Sequence, residues 1–236
     1  MRLAALLSGG KDSTYSIYIA RQYGWEVSDA VILLTDADSY MFQRPNTREA
    51  VKIAEAMGLK LHVKHTEGVE EDELQDMKEA LSIPEIDGVL VGAVESDYQW
   101  ARVQRICHEL GIRTFAPLWR KDQEMLVRDM VSAGFRIMIV SVSAYGLGEE
   151  WLGRIIDERA IENLVELREK YGINVGGEGG EYETTVIGGP GFAHDFEAVI
   201  KERHWHRDSG WVEVKLIPNS ALLHKQFYKL WCHTFW

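Results

Sequence analysis

The chain has 236 residues, 46% of them hydrophobic and 27% charged, the balance of a globular protein long enough for one large domain or two small ones with real cores. Its formal net charge of −11 disfavours nucleic acid as a partner, since an acidic surface repels a phosphate backbone and no Lys/Arg run offsets it. No apolar run reaches bilayer-spanning length, and Cys107 and Cys232 stand too far apart for a metal motif or a disulfide framework, which fits a reducing cytoplasm.

The opening Met1–Leu7 runs straight into a Gly-rich turn, so it reads as a buried first strand over 3–7 rather than a signal peptide. A helix follows over 11–23, stopped by Gly24. Strand 30–34, a helix capped by Asn46 and running to Met57, and strand 59–63 come next. The acidic stretch Glu67–Glu73 opens a solvated helix over 70–82. Strand 88–91, helix 98–110 and strand 113–115 complete an alternation that predicts βαβ units and a parallel sheet. After Pro117 the pattern gives helix 123–133, strand 136–142 and an amphipathic helix over 157–171 ended by Gly172. A Gly-rich stretch at 176–180 precedes strand 184–187. Strands 196–200 and 211–216 flank a turn at Asp208-Ser209-Gly210. Residues 220–236 carry helical apolar spacing and predict a tail helix that docks on this chain or on a second subunit. The expected division is 1–120, 121–218 and a tail at 219–236.

Ser8-Gly9-Gly10-Lys11-Asp12-Ser13 joins the first strand to the first helix. The glycines let backbone approach a ligand, and the helix start offers free N–H groups and the positive dipole end, which together make an anion site. Lys11 adds a point charge, and Ser8 and Ser13 offer hydroxyl donors to a phosphate. Asp12 either orients the loop or holds hydrated Mg²⁺. The loop is not a Walker A motif, which needs different spacing.

This hexapeptide resembles the signature of the PP-loop ATP pyrophosphatases, which cut ATP between its α- and β-phosphates and adenylate an acceptor. Three further stretches sharpen the likeness: Asp38–Asn46, Gly92–Arg102 with Ser96-Asp97-Tyr98-Gln99, and Gly177-Glu178-Gly179-Gly180-Glu181-Tyr182-Glu183-Thr184, with Ala116-Pro117-Leu118-Trp119 between the last two. Together they resemble the diphthine–ammonia ligase family over about residues 1–215. The resemblance implies a HUP-like (adenine nucleotide alpha hydrolase-like) α/β fold, a parallel-sheet PP-loop domain with a smaller α/β C-terminal domain. It also implies ATP with Mg²⁺, ammonium as nitrogen donor, and the diphthine form of elongation factor 2 as the amidated partner.

On that reading Lys11, Asp12 and Ser13 are catalytic, and Ser8, Gly9, Gly10, Asp36 and Met41 complete the ATP site. Ser96, Asp97, Tyr98, Gln99, Glu178, Gly179, Gly180, Glu181, Tyr182, Glu183 and Thr184 form the acceptor and ammonium site. A fixed quaternary cation has no N–H, so carboxylates and aromatic faces suit it. The acidic loop with Glu178, Glu181 and Glu183 beside Tyr182 is expected to form the acceptor pocket, reading that cation or holding ammonium, so Glu181→Gln should hurt amidation more than ATP binding. The bland alternative for 176–184 is a solvated acidic turn. Competing functions are a PP-loop tRNA-modifying enzyme, a glutamine-dependent amide ligase and an ATP-binding regulatory protein. The first of these wants catalytic cysteines that this chain does not offer in pairs.

Overall fold

The computed structural model describes residues 1–35, 47–66 and 70–219. The loop Asp38–Asn46, with the expected Asn46 cap, lies outside the described residues. So do Glu67 and residues 220–236, where a tail helix was expected.

Five strands form a parallel sheet in the order β3-β2-β1-β4-β5: β1 (Arg2–Leu6), β2 (Glu26–Thr35), β3 (Lys60–Thr66), β4 (Gly88–Leu90) and β5 (Arg113–Phe115). The intervening helices are α1 (Lys11–Gln22), α2 (Ala50–Ala56), α3 (Glu70–Leu81) and α4 (Asp97–Leu110). Leu3, Ala4 and Ala5 are wholly buried, as a central strand covered on both faces requires. The strand order reverses between β1 and β4, and ligands of open α/β sheets bind beyond the strand ends at such a reversal.

β2 starts four residues earlier than its apolar run. Those residues include Asp29, fully buried between Arg2 and His62, with Arg2 Nη2 at 3.1 Å and His62 Nε2 at 2.8 Å. Burial alone would raise this carboxyl, but hydrogen bonds from Ser28, His62 and Arg2 outweigh it and hold it below the ordinary carboxylate value. A depressed folded pKa gives stability that is present above the unfolded value and lost as pH falls through the folded one. Asp29→Asn is therefore expected to lower stability by about 1–3 kcal/mol at pH 7 and to flatten the acid limb of a urea-midpoint series. An unchanged acid limb would count against this account.

The second half carries α5 (Gln123–Ser132), β6 (Arg136–Val142), α6 (Glu158–Tyr171), β7 (Tyr182–Gly188), β8 (Phe196–His206) and β9 (Ser209–Pro218). Its four strands form an antiparallel sheet in the order β7-β6-β9-β8. β8 and β9 extend well beyond their predicted spans. His206 pairs with Ser209, so the turn is Arg207-Asp208, with Arg207 at φ 57°, and not Asp208-Ser209-Gly210. Asp157 caps α6 by accepting from Ala160 N at 2.8 Å, and Gly172 closes it at φ 75°.

The halves share one core. Tyr15 and Tyr18 of α1 pack edge-on against Phe135, at 5.4 and 5.5 Å between ring centroids. Ala193 N donates to Ala56 O at 2.7 Å, and Leu216 N to Glu49 Oε2 at 2.7 Å. A second core on the opposite sheet face gathers Leu81, Val103, Ile106 and Cys107. Cys107 is buried there, and burial raises its thiol, consistent with packing rather than nucleophilic use. Among the described residues no helix is long and apolar enough to cross a membrane.

Candidate active site

Residues 8–10 leave β1 and turn into α1, with Gly9 at φ 81°. A side chain there would press on Ala50 and Ile53 of α2, 3.1 and 3.2 Å from its Cβ. Glycine is needed for both reasons. α1 has no side-chain N-cap, and the first amides of any helix lack intrahelical acceptors. Lys11 N donates instead to Thr184 Oγ1 of β7 at 3.1 Å, 173 positions along the chain. Val186 N donates to Gly9 O at 3.0 Å. The strand thus lies along the loop. A Cβ on Gly92, just past β4, would sit 2.5 Å from Ser13 N. Bare backbone at 92 is what lets the end of β4 pack this closely on the start of α1.

The loop serines are turned inward. Ser13 Oγ accepts from Ser8 N and donates to Gly10 O, each at 3.2 Å. Ser8 Oγ meets Ser13 Oγ at 3.1 Å. Both hydroxyls knit the turn, because a short loop must satisfy its own polar groups. This differs from the expectation that they face a phosphate.

Lys11 also differs. Its side chain is 6% exposed, and its ammonium sits 2.6 Å from Asp12 Oδ2, 3.9 Å from Glu178 Oε1 and 5.8 Å from the centre of the Tyr182 ring. Burial would lower its pKa, but Asp12, Tyr182 and Glu178 outweigh burial and raise it, so it stays charged. Asp12 is the loop's counter-ion, which favours its orienting role. Its Oδ1 is buried without a partner among the described residues, and such an atom asks for a donor from a ligand.

Glu178 is 19% exposed on its side chain. Burial first, then the charges of Asp12, Glu183 and Glu95, push its carboxyl up to about 7 against the opposing pull of Lys11. Tyr182 is buried, donates to Val175 O at 2.6 Å, and is pushed well above an ordinary phenol by that burial.

Glu181 does not present itself to a ligand. Its two oxygens accept from Asn174 N at 2.9 Å and Gly179 N at 2.8 Å. It folds the Gly-rich loop, which leaves Glu178 as the loop carboxylate whose oxygens are not taken up by backbone amides among the described residues. Ser143 pins the same loop, its N donating to Glu181 O at 2.9 Å and its Oγ to Gly180 O. Glu181→Gln turns a donor toward one of those amides and is expected to cost about 1–3 kcal/mol. Urea unfolding of the variant checks this, and wild-type stability would contradict it.

Glu95 reaches the site from the turn after β4 and accepts from Gln123 Nε2 at 2.7 Å. Asp97 stands on the exposed rim, where Arg120 donates to both its oxygens at 3.0 Å. Arg120 adopts φ 57° and lies over Trp119, which stacks on Trp100 at 5.2 Å. Ser96 opens the same turn. The side chains of Tyr98 and Gln99 on α4, and the whole of Asp36 and Met41, lie outside the described residues. Arg105 pairs with Glu109 on the surface. Among the described residues no group of three His, Cys, Asp or Glu is placed to hold a metal.

Gly92 and Glu95 fall within the Gly92–Arg102 stretch but were given no role of their own there, and Gln123, Arg120 and Ser143 were not singled out in the sequence. Gly92 carried a usable signal, a glycine directly after a buried apolar strand. The others carried none.

Residues 1–114 match the diphthamide synthase N-terminal domain, and residues 122–218 the diphthamide synthase C-terminal domain. The Homo sapiens protein called diphthine–ammonia ligase is 37% identical over 216 residues, 81% of this chain and 80% of its own length. Its Danio rerio counterpart is 35% identical over 237 residues, 91% of this chain and 92% of its own. The Schizosaccharomyces pombe protein of that name is 30% identical over 274 residues, 99% of this chain and 45% of its own. A solved structure titled a predicted subunit of tRNA methyltransferase, from Methanocaldococcus jannaschii, aligns at a TM-score of 0.46 and 19% identity, over 80% of this chain and 98% of that one.

Proposed function

The chain belongs to the diphthamide synthase family and is a ligase, and on that premise we propose that it amidates diphthine on elongation factor 2 with ATP and ammonium. The acceptor carboxylate attacks the α-phosphorus of ATP, pyrophosphate leaves, and ammonia displaces AMP from the acyl-adenylate. Residues 8–13 and the start of α1 hold the phosphates, with Gly92 letting the end of β4 pack closely on that start. Asp36 and Met41 are proposed for the adenosine end. Mg²⁺ accompanies ATP and offsets phosphate charge. Residues 1–120 are the nucleotide half and 121–218 the acceptor half.

The observation that carries the reading is the seam between Gly9–Lys11 and Thr184–Val186. It sets the anion cradle against a second cluster built from Glu178, Tyr182 and Lys11. A nucleotide and a cationic acceptor can then meet within one site, as an adenylation followed by transfer requires. The Tyr182, Trp100 and Trp119 rings suit a trimethylammonium group.

The test is incubation of the chain with ATP, Mg²⁺, ammonium and diphthine-bearing elongation factor 2. AMP, pyrophosphate and amide formation on the factor are expected. Release of ADP and phosphate would refute the mechanism.

A further inference from the structure

Resting on that reading, we propose that Glu178 is the proton acceptor that converts bound ammonium into the attacking ammonia. Ammonium has no lone pair, so it must lose a proton before it can form a C–N bond. Several carboxylates and a phenol crowd this corner, and most are otherwise placed. Glu181 is occupied at both oxygens by backbone amides. Asp12 holds Lys11 at 2.6 Å, and Glu95 accepts from Gln123. Tyr182 donates its proton to Val175 O. Glu178 is mostly buried yet receives no hydrogen bond from the protein among the described residues. Its closest cation there is Lys11 Nζ, at 3.9 Å.

The surroundings suit the task. Asp12 and Lys11 face Glu178 from α1, Glu183 and Tyr182 from β7, and Glu95 from the turn after β4. An ordinary carboxylate is a poor base, whereas one poised near neutrality matches the working pH of a general base. Lys11 adds a second push, since a fixed positive charge disfavours a neighbouring ammonium relative to neutral ammonia. One proton passes from ammonium to the Glu178 carboxylate. The freed lone pair forms the C–N bond at the acyl carbon. The C–O bond to the adenylate phosphate breaks, AMP leaves with that electron pair, and the second N–H proton goes to solvent.

Hydroxylamine separates this role from recognition of the acceptor's fixed cation, because near neutral pH it is largely unprotonated and needs no base. The full chain, with ATP, Mg²⁺ and the diphthine-bearing acceptor, is supplied with either nucleophile. Glu178→Gln is expected to lose about 10²-fold or more in ammonium-dependent turnover and at least about tenfold less with hydroxylamine. Its kcat/KM for ammonium should lack the rise through pH about 7 expected of wild type. Glu178→Asp should recover part of the ammonium rate. Pyrophosphate exchange into ATP reports the adenylation half-reaction and should persist in Glu178→Gln.

Equal losses with both nucleophiles, with a raised KM for the acceptor, would make Glu178 a cation reader and overturn the proposal. Loss of exchange as well would make it structural and overturn the proposal equally. Absence of exchange in wild type sinks the ligase reading itself, a result distinct from either.

Discussion

Lys11→Met is expected to remove AMP formation almost entirely and to destabilise the fold. The ammonium is 6% exposed and holds Asp12 at 2.6 Å and Glu178 at 3.9 Å. Without it two poorly hydrated carboxylates face each other across a site that already repels negative charge. Breaking a buried pair from one side costs about 3–5 kcal/mol. Losing a preorganised cation beside developing phosphate charge costs about 10²- to 10³-fold in rate. Glu178 should also move above its value of about 7, since Lys11 is what pulls it down. A raised folded pKa contributes stability that is full below the unfolded value and is lost as pH rises through the folded one. The variant should therefore be least stable, relative to wild type, on the alkaline side of neutrality. Adding Asp12→Asn should restore part of the stability and none of the activity. Urea midpoints from pH 5 to 8, with pyrophosphate release, decide it. A variant within threefold of wild type in both would show that the ion cluster is incidental.

Gly92→Ala is expected to loosen nucleotide binding without touching any charged group. Its new methyl would lie 2.5 Å from Ser13 N and 2.6 Å from Ser13 Cα. Those are backbone atoms of α1, which cannot swing aside as a side-chain tip can. The helix start must shift, and overpacking of this kind costs about 1–3 kcal/mol. The same shift misaims the amides of Asp12 and Ser13, so ATP affinity should fall more than tenfold, on the scale of about 1.4 kcal/mol per decade. Gly10→Ala is the control, because its nearest neighbour would be Ser8 Oγ at 3.4 Å. Titration calorimetry of both variants with ATP separates them. Equal affinities would remove Gly92 from the site.

The parallel sheet was legible because its central strands β1, β2 and β4 carry apolar runs with buried residues on both faces, and helices with periodic apolar faces separate the strands. The β8–β9 hairpin was half legible. Lys201–His206 of β8 are all exposed, so no alternation of burial marks them as strand. The start of β2 was hidden for the opposite reason. Asp29 is buried as an ion, and no apolar pattern reports a charge that is satisfied by Arg2 and His62. At the site, the two motifs were visible as residue types but their junction was not. Nothing local in Ser-Gly-Gly-Lys-Asp-Ser states that Lys11 turns to Glu178, or that Thr184 supplies the acceptor for its amide. Glu181 and Glu178 look equivalent in sequence, and only the amides of Asn174 and Gly179 tell them apart.

The seam between loop and strand also bears on how such a protein can change over time. Thr184 Oγ1 occupies the place that an N-cap side chain would fill for α1. A drift in the strand's register would therefore be felt first at the nucleotide, before any acceptor is met. On the proposed reading, substitutions in 9–11 and in 184–186 are expected to be non-additive with one another.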